Sequence, residues 1–261
     1  MPAPQVVVAI GKLPPRRYQS GIFVANLLSL FFGNERQTED LCREVGRLES
    51  YGGRLLPILG LLFEGKEPNH VVLEQAPDGD LLHYFATELE LCLPEIHVLP
   101  HQRFLTFADA EAHASTAPIV DRLRQASSSW LDGFVTDDAL SGFARRIGHT
   151  TLNSRASSYD GNHKVALHHF LVANDLPVFD TLLATDLTAV AAALSELDQR
   201  GYARAVVKTA IGASGIGIWQ LRTNDSTDGL PPYLFHDGAC LVQGWLDAAA
   251  TGVEAVYSPS V

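Results

Sequence analysis

Short apolar runs alternate with longer amphipathic segments along this chain, and the two patterns predict strands and helices in turn. Runs rich in Val, Ile and Leu that end at Gly or a polar residue are typical of buried strands. Such strands are predicted at residues 5–11, 54–59, 71–73, 96–99, 206–208, 218–221, 240–246 and 252–257. Helices are predicted between them, at residues 81–91, 137–147, 164–173 and 186–199. This alternation predicts an α/β protein whose first sheet is mainly parallel and Rossmann-like.

One apolar run, residues 21–32, could imitate a targeting signal because Arg16 and Arg17 precede it. It is shorter than the roughly 20 residues that span a bilayer, and no small-x-small cleavage site follows it. We therefore predict a buried helix there, followed by a second helix capped at Thr38.

The polarity of the chain changes near its middle, where Ser127 to Ser129 interrupt a helical and polar stretch that includes Pro118 as a first helical residue. We place a domain boundary there, which gives a Rossmann-like domain at 1–130 and a second domain at 131–261. In the second domain Thr136 is predicted to cap a helix, and 148–162 is predicted to be a polar loop.

The most distinctive motif is a glycine-rich loop between two strand-like runs. Its order is Gly212-Ala213-Ser214-Gly215-Ile216-Gly217, and Lys208 ends the strand before it. A dinucleotide fingerprint or a Walker loop would need other glycine spacing and a following helix, so neither fits. A hairpin whose backbone N–H groups cradle an anion fits better, with Lys208 adding a charge. The alternative is an ordinary structural hairpin with a surface lysine.

The net charge and the cysteine content limit the classes of partner and of metal or disulfide site that the chain can have. The formal net charge is -11, which argues against nucleic acid and anionic membranes, because those partners bind clustered Lys and Arg. The cysteines Cys42, Cys92 and Cys240 are far apart, so neither a zinc knuckle nor a disulfide framework is indicated. We expect a cytoplasmic protein. His168 and His169 lie five and six residues after His163, whereas two metal ligands on one face of a helix are usually four residues apart.

The second half of the chain contains four sequence motifs whose order resembles that of the ATP-grasp ligase family. They are Asn162-His-Lys164 with a helix that ends before Leu176-Pro177, Val206-Val-Lys208 with the glycine loop, Gln243-Gly-Trp-Leu246, and Glu254. The family has Asn/Asp-x-Lys, a helix and Gly-Ile-Pro, then Val-Val-Lys and a glycine-rich loop, then Glu-x-x-Leu and a later Glu. The first domain is similar to the Rossmann-like pre-ATP-grasp domain of peptide ligases.

The resemblance implies a role for each matched residue. Lys164 and Lys208 would hold the α- and β-phosphates of ATP, and the loop with Gly212, Ala213, Ser214, Gly215 and Gly217 would close over the β- and γ-phosphates. Gln243 would begin the hinge of the nucleotide site. The backbone of Gly244, Trp245 and Leu246 would face the adenine, with Trp245 or Leu246 supplying apolar contact, and Glu254 would accept hydrogen bonds from the ribose. The activity implied is carboxylate–amine ligation through an acylphosphate, with nucleotide and small carboxylate and amine substrates, an amino acid or a peptide, as partners. A homo-oligomer stays open.

Two departures from the family's pattern change what is expected. Gln243 stands where the family usually has an acid. The family's Mg²⁺ ligands, an acidic residue and a Glu-x-Asn pair, lie on strands that would follow Val261, so no metal ligand and no catalytic residue is assigned here. We therefore expect an N-terminal portion of a ligase that is inactive alone. A truncated or non-catalytic nucleotide-binding module and an unrelated α/β protein are the alternatives.

Overall fold

The computed structural model describes residues 20–31, 35–44, 69–90, 92–100, 103–104, 113–128, 130–213 and 215–246. The strands are β1 (Gly21–Val24), β2 (His70–Leu73), β3 (Glu95–Val98), β4 (Trp130–Gly133), β5 (Thr181–Ala184), β6 (Arg204–Lys208), β7 (Ile218–Arg222) and β8 (Cys240–Gly244). The α-helices are α1 (Glu35–Glu44), α2 (Gly79–His83), α3 (His113–Gln125), α4 (Asp138–Ile147), α5 (Arg155–Asn162), α6 (Lys164–Ala173) and α7 (Leu187–Gln199). Short 3₁₀ segments lie at Leu27–Phe31 and Pro232–Phe235, and a π-helical turn lies at Tyr84–Glu88. The predicted strands at 5–11, 54–59 and 252–257 lie outside the described residues.

The chain divides into two compact units, of which the first comprises residues 1–26 and 47–154. Its four described strands form a parallel sheet in the order β3-β2-β1-β4. Ile22, Val72 and Leu131 lie in the buried core together with Leu123 of α3 and Phe143 of α4. The core is therefore built between the sheet and two helices, as the strand and helix pattern predicts.

The second unit comprises residues 27–46 and 155–261. Its sheet has the order β5-β8-β6-β7, and each neighbouring pair in it is antiparallel. Asp186 caps helix α7, because its side chain accepts a hydrogen bond from Ala189 N at 2.8 Å. Its apolar stripe, which includes Val190, Leu194 and Leu197, is buried in the core with Val207 of β6. The α/β fold class predicted from the sequence is confirmed.

The buried helix predicted at 21–32 is wrong. Residues 21–24 form β1, which pairs with β2 on one side and β4 on the other, and a 3₁₀ segment follows. A central strand is apolar on both faces, so its sequence carries no period that would separate it from a buried helix. The second predicted helix is present as α1, but Thr38 lies inside it and does not cap it.

Further boundaries also differ from the prediction. Asp137, one residue after Thr136, is the cap of α4, because its carboxylate accepts from Leu140 N at 2.8 Å. Pro118 lies within α3 and is not its first residue. The predicted polar loop at 148–162 contains α5, a helix without a buried residue. Strands β4 and β5 were not predicted at all.

In the part of the chain that the structure describes, the helices are all too short or too polar to cross a membrane.

Candidate functional site

The candidate site belongs to the second unit and is built on the β6–β7 hairpin and the loop that joins its strands. Lys208 ends β6 and pairs with Ile218, which begins β7. The loop is closed at its base, where Thr209 N donates to Gly217 O at 2.9 Å and Ile216 N donates to Ala213 O at 2.9 Å. The hairpin predicted from the sequence is therefore present, with its glycines in the connecting turn.

The hydroxyl of Thr209 lies at the centre of that turn. It donates toward Ile211 O at 2.6 Å and accepts a hydrogen bond from Gln37 Nε2 of α1 at 3.0 Å. Thr209 and Gln37 are both buried. Sequence reasoning missed Gln37, because 172 residues separate it from Thr209 and no local pattern marks the contact.

Gly217 has the backbone conformation that the turn needs. Its φ is 77°, in the left-handed region, and a Cβ there would lie only 2.2 Å from Thr209 Oγ1. Gly215 also has a positive φ, of 84°, but nothing lies within 4 Å of where its Cβ would be. One glycine is thus required by packing as well as by conformation, whereas the other faces open space. Ser214, which precedes Gly215, lies outside the described residues.

Lys164 is the first residue of α6 and reaches the same loop. The imidazole of His163 caps the helix by accepting from Ala166 N at 3.2 Å, and Lys164 N donates to Ala210 O at 2.7 Å. The ammonium then donates to Gly212 O at 2.8 Å. Burial, with repulsion from Lys208, lowers the pKa of Lys164 to about 8, although Asp237 acts in the opposite direction. His163 is therefore a helix cap, and His168 and His169 follow it on the same helix.

Lys208 is held from the neighbouring strand. Its Nζ donates to Gln243 Oε1 of β8 at 2.6 Å, and Gln243 Nε2 donates to Thr181 Oγ1 of β5 at 2.8 Å. Burial lowers the pKa of Lys208 below its ordinary value. The amide of Gln243 therefore supplies Lys208 with a neutral acceptor, which does not cancel the charge of the ammonium. Thr181 was not predicted, because its strand was not.

The two lysines together make a local positive site. Each ammonium is partly buried and donates to a neutral oxygen, and Lys208 is close enough to Lys164 to lower the pKa of Lys164. Among the described residues, neither forms an ion pair with a carboxylate. Two poorly solvated cations beside a glycine turn are an arrangement that an anion would stabilise.

The remaining predicted residues lie at the end of β8. Gly244 is buried against the ring of Tyr202 and its N–H donates to Asp180 O at 3.0 Å, while Trp245 N donates to Arg204 O at 2.9 Å. The indole of Trp245 lies 5.9 Å from the Arg204 guanidinium and is 38% exposed, and Leu246 is 37% exposed. Both side chains are thus accessible apolar surface. Glu254 lies outside the described residues.

Comparison with known proteins adds a structural likeness. No family model matches the chain, and no curated protein matches it in sequence. Solved structures do match. D-alanyl-alanine synthetase A from Vibrio cholerae has a TM-score of 0.36 and 16% identity over 45% of this chain and 38% of that chain. N5-carboxyaminoimidazole synthetase from Staphylococcus aureus, complexed with ADP, has a TM-score of 0.46 and 12% identity over 88% and 48%. A RimK domain protein ATP-grasp from Sphaerobacter thermophilus has a TM-score of 0.43 and 18% identity over 68% and 64%.

Of these three proteins, the one from Sphaerobacter thermophilus is named as an ATP-grasp protein, and the other two are named as synthetases. Each of the three TM-scores is below 0.5. The chain spans less than two thirds of the length of each of these three proteins, with shares of 38%, 48% and 64%. At such identities the likeness concerns the fold alone, so the role of each residue here depends on the geometry of this chain.

Proposed function

We propose that the second unit binds ATP and that the chain is the nucleotide-binding N-terminal portion of an ATP-dependent carboxylate–amine ligase. The observation that carries the proposal is the pair of partly buried lysines. Lys164 and Lys208 approach one glycine turn from two different elements, and each donates only to a neutral oxygen among its described contacts. Since buried charges are normally paired, an anionic ligand is the missing partner that this arrangement calls for.

The polyphosphate of a nucleotide suits the site because it offers several charged oxygens along one chain. Lys164 and Lys208 would bind the α- and β-phosphates, and the turn from 211 to 217 would contact the β- and γ-phosphates through its backbone N–H groups. Trp245 and Leu246 offer exposed apolar surface for a base. Gln243 would orient Lys208, and Glu254 is proposed as a ribose ligand.

The proposed reaction joins a carboxylate to an amine. The carboxylate attacks the γ-phosphorus of ATP, which forms an acylphosphate and releases ADP. The amine then attacks the acyl carbon, which forms the C–N bond and releases phosphate and a proton. The two lysines would bind the nucleotide and neutralise the charge that remains on ADP as it leaves.

The described residues around the lysines do not fit the Mg²⁺ that ATP-grasp enzymes use. Mg²⁺ prefers carboxylate and other oxygen ligands. Among the residues that the structure describes, the one close group of three potential metal ligands lies in the first unit. Near the lysines, Asp237 is the described acid that raises the pKa of Lys164. We derive no step through the metal, and we propose that its ligands are supplied by other residues.

Nucleotide binding by lysine variants tests the proposal. Lys208→Met and Lys164→Met each remove a charged contact worth about 1.5–3 kcal/mol, so each should weaken ADP binding about tenfold or more. Titration calorimetry at pH 7 measures the change. Arg222→Ala is the matched control, because it removes one positive charge from the far end of the same hairpin. Equal affinity in the lysine variants and the control would contradict the proposal.

The second candidate is a nucleotide-binding module without ligase chemistry. It is favoured by the lack of a described carboxylate cluster near the lysines, since phosphoryl transfer depends on metal to neutralise developing charge. Both candidates require the same lysines to bind nucleotide. They differ in turnover, which only the ligase shows once every part of the enzyme is present.

A further inference from the structure

The first unit carries a cluster of two histidines and a glutamate that the nucleotide site does not use. His70 begins β2, and Glu95 and His97 lie on the neighbouring parallel strand β3. His70 pairs with Glu95 in the strand register, and Val72 pairs with His97. Because side chains alternate across a strand, residues 95 and 97 share a face, and His70 meets them there.

The ligand atoms of the three side chains converge. His70 Nδ1 lies 3.1 Å from His97 Nε2, His70 Nδ1 lies 3.7 Å from Glu95 Oε2, and His97 Nε2 lies 3.8 Å from Glu95 Oε1. Zinc binds imidazole nitrogen at about 2.0–2.1 Å in tetrahedral geometry, which puts two such nitrogens about 3.3 Å apart. The two imidazoles already have nearly the spacing that a shared tetrahedral ion requires.

Burial also suits metal binding. Both rings are buried, with exposures of 3% for His70 and 6% for His97. A buried polar group is stabilised by a partner that satisfies it, and a metal ion bound to the ring nitrogens would be such a partner.

We propose that His70, Glu95 and His97 form a binding site for a divalent transition metal, with Zn²⁺ as the preferred ion. Two imidazole nitrogens and one carboxylate form a ligand set that proteins use for zinc, whereas Mg²⁺ and Ca²⁺ prefer sites made of oxygen. Among the described residues, this is the one group of three potential ligands whose atoms lie within 4.8 Å of one another.

Arg122 of α3 already binds the carboxylate of Glu95. Its Nε donates to Glu95 Oε1 at 2.7 Å, and its Nη2 donates to Oε2. The guanidinium therefore competes with a metal ion for the carboxylate, because two cations beside one carboxylate repel each other. The side chains of Glu95 and Arg122 are 32% and 47% exposed, so a metal ion can reach the carboxylate from solvent.

Metal titration of the full chain without a histidine tag tests the proposal. We expect one Zn²⁺ per chain by calorimetry, and a tetrahedral visible absorption spectrum when Co²⁺ is used. His97→Gln should weaken binding at least tenfold, since it removes a ligand. The double variant His168→Gln, His169→Gln is the matched control, because these adjacent histidines on α6 lie in the other unit, and it should bind as the original chain does.

Arg122→Gln separates a metal site from a structural hydrogen-bonded histidine pair, and it leaves both rings in place. Loss of the competing cation should tighten Zn²⁺ binding several-fold if Glu95 is a ligand. Any of three results would overturn the proposal. The original chain could bind no Zn²⁺, the variant His97→Gln could bind Zn²⁺ as tightly as the original chain, or the variant Arg122→Gln could bind it more weakly. Circular dichroism of each variant establishes that a loss of binding does not come from a loss of fold.

Discussion

At the scale of single residues, the position of Lys164 strongly alters its chemistry. It begins α6, donates through both its backbone N–H and its ammonium to the glycine turn, and lies near a second lysine. Burial and Lys208 together lower its pKa from 10.5 to about 8. An exposed lysine would keep its charge throughout the range in which proteins are usually studied.

This lowered pKa predicts that nucleotide affinity falls as the pH rises from 7 to 9. The neutral amine that forms above pH 8 cannot make a charge-assisted contact with phosphate, so ADP affinity should fall up to about tenfold across that range. Calorimetry at several pH values measures the fall. In Lys164→Met the same titration should be much flatter, and an equally steep fall in that variant would assign the effect to another group.

Stability should change with pH in the opposite direction. Between pH 8 and 10.5 the unfolded chain binds a proton at Lys164 that the folded chain does not bind, so the free energy of unfolding of the unliganded protein should rise with pH over this window. Denaturant unfolding of the original chain and of Lys164→Met isolates this contribution. The opposite signs for binding and stability distinguish a lowered lysine pKa from general alkaline unfolding.

At the scale of elements, the turn between β6 and β7 depends on one glycine more than on the other. Gly217→Ala adds a Cβ 2.2 Å from Thr209 Oγ1 at a φ of 77°, so both a clash and backbone strain follow. We expect a loss of about 2–4 kcal/mol in the free energy of unfolding. At Gly215 the φ is 84°, but an added Cβ would meet no atom within 4 Å. Gly215→Ala should therefore lower the free energy of unfolding by only about 1–2 kcal/mol. Urea unfolding compares the two, and equal losses would mean that Thr209 moves aside freely.

The sequence was most informative where an element is specified locally. The β6–β7 hairpin, α6 and α7 all match their predictions, because each has its own cap, turn glycine or alternating pattern. The lysines and glycines of the candidate site lie on those elements, and the resemblance to the ATP-grasp family implied that they belong to one site. The role of Gln243 as a neutral acceptor for Lys208 could not, since it depends on which strands lie side by side.

The missed elements are those that only tertiary pairing specifies. Strand β4 contains Asp132 and Gly133 and is four residues long, yet it pairs with β1 along its whole length. Strand β5 pairs with β8 across 62 residues of chain between Thr181 and Gln243. The cluster of His70, Glu95 and His97 was missed for the same reason. The one local signal was the two-residue spacing of Glu95 and His97, which places both side chains on the same face of a strand.

At the scale of the whole molecule, the distribution of charge is informative. The chain has 30 acidic residues against 19 Lys and Arg, yet of its four lysines, Lys12, Lys66, Lys164 and Lys208, two approach the same turn. A strongly negative protein repels a polyanion at long range, so a nucleotide must be held by short-range contacts. Binding at this site therefore depends on the two lysines and the turn more than on the field of the protein.

Binding and turnover should consequently separate in the 261-residue chain. The described residues near the lysines include no carboxylate cluster for Mg²⁺, and without that ion phosphoryl transfer loses its main electrostatic stabilisation. We expect ADP and ATP to bind, whereas release of ADP and phosphate from ATP stays at background with Mg²⁺ and a panel of amino acids and short peptides. A coupled ADP assay, run beside the calorimetric titration, measures both properties. Turnover that is lost in Lys208→Met would show instead that this chain holds the metal through residues not assigned here.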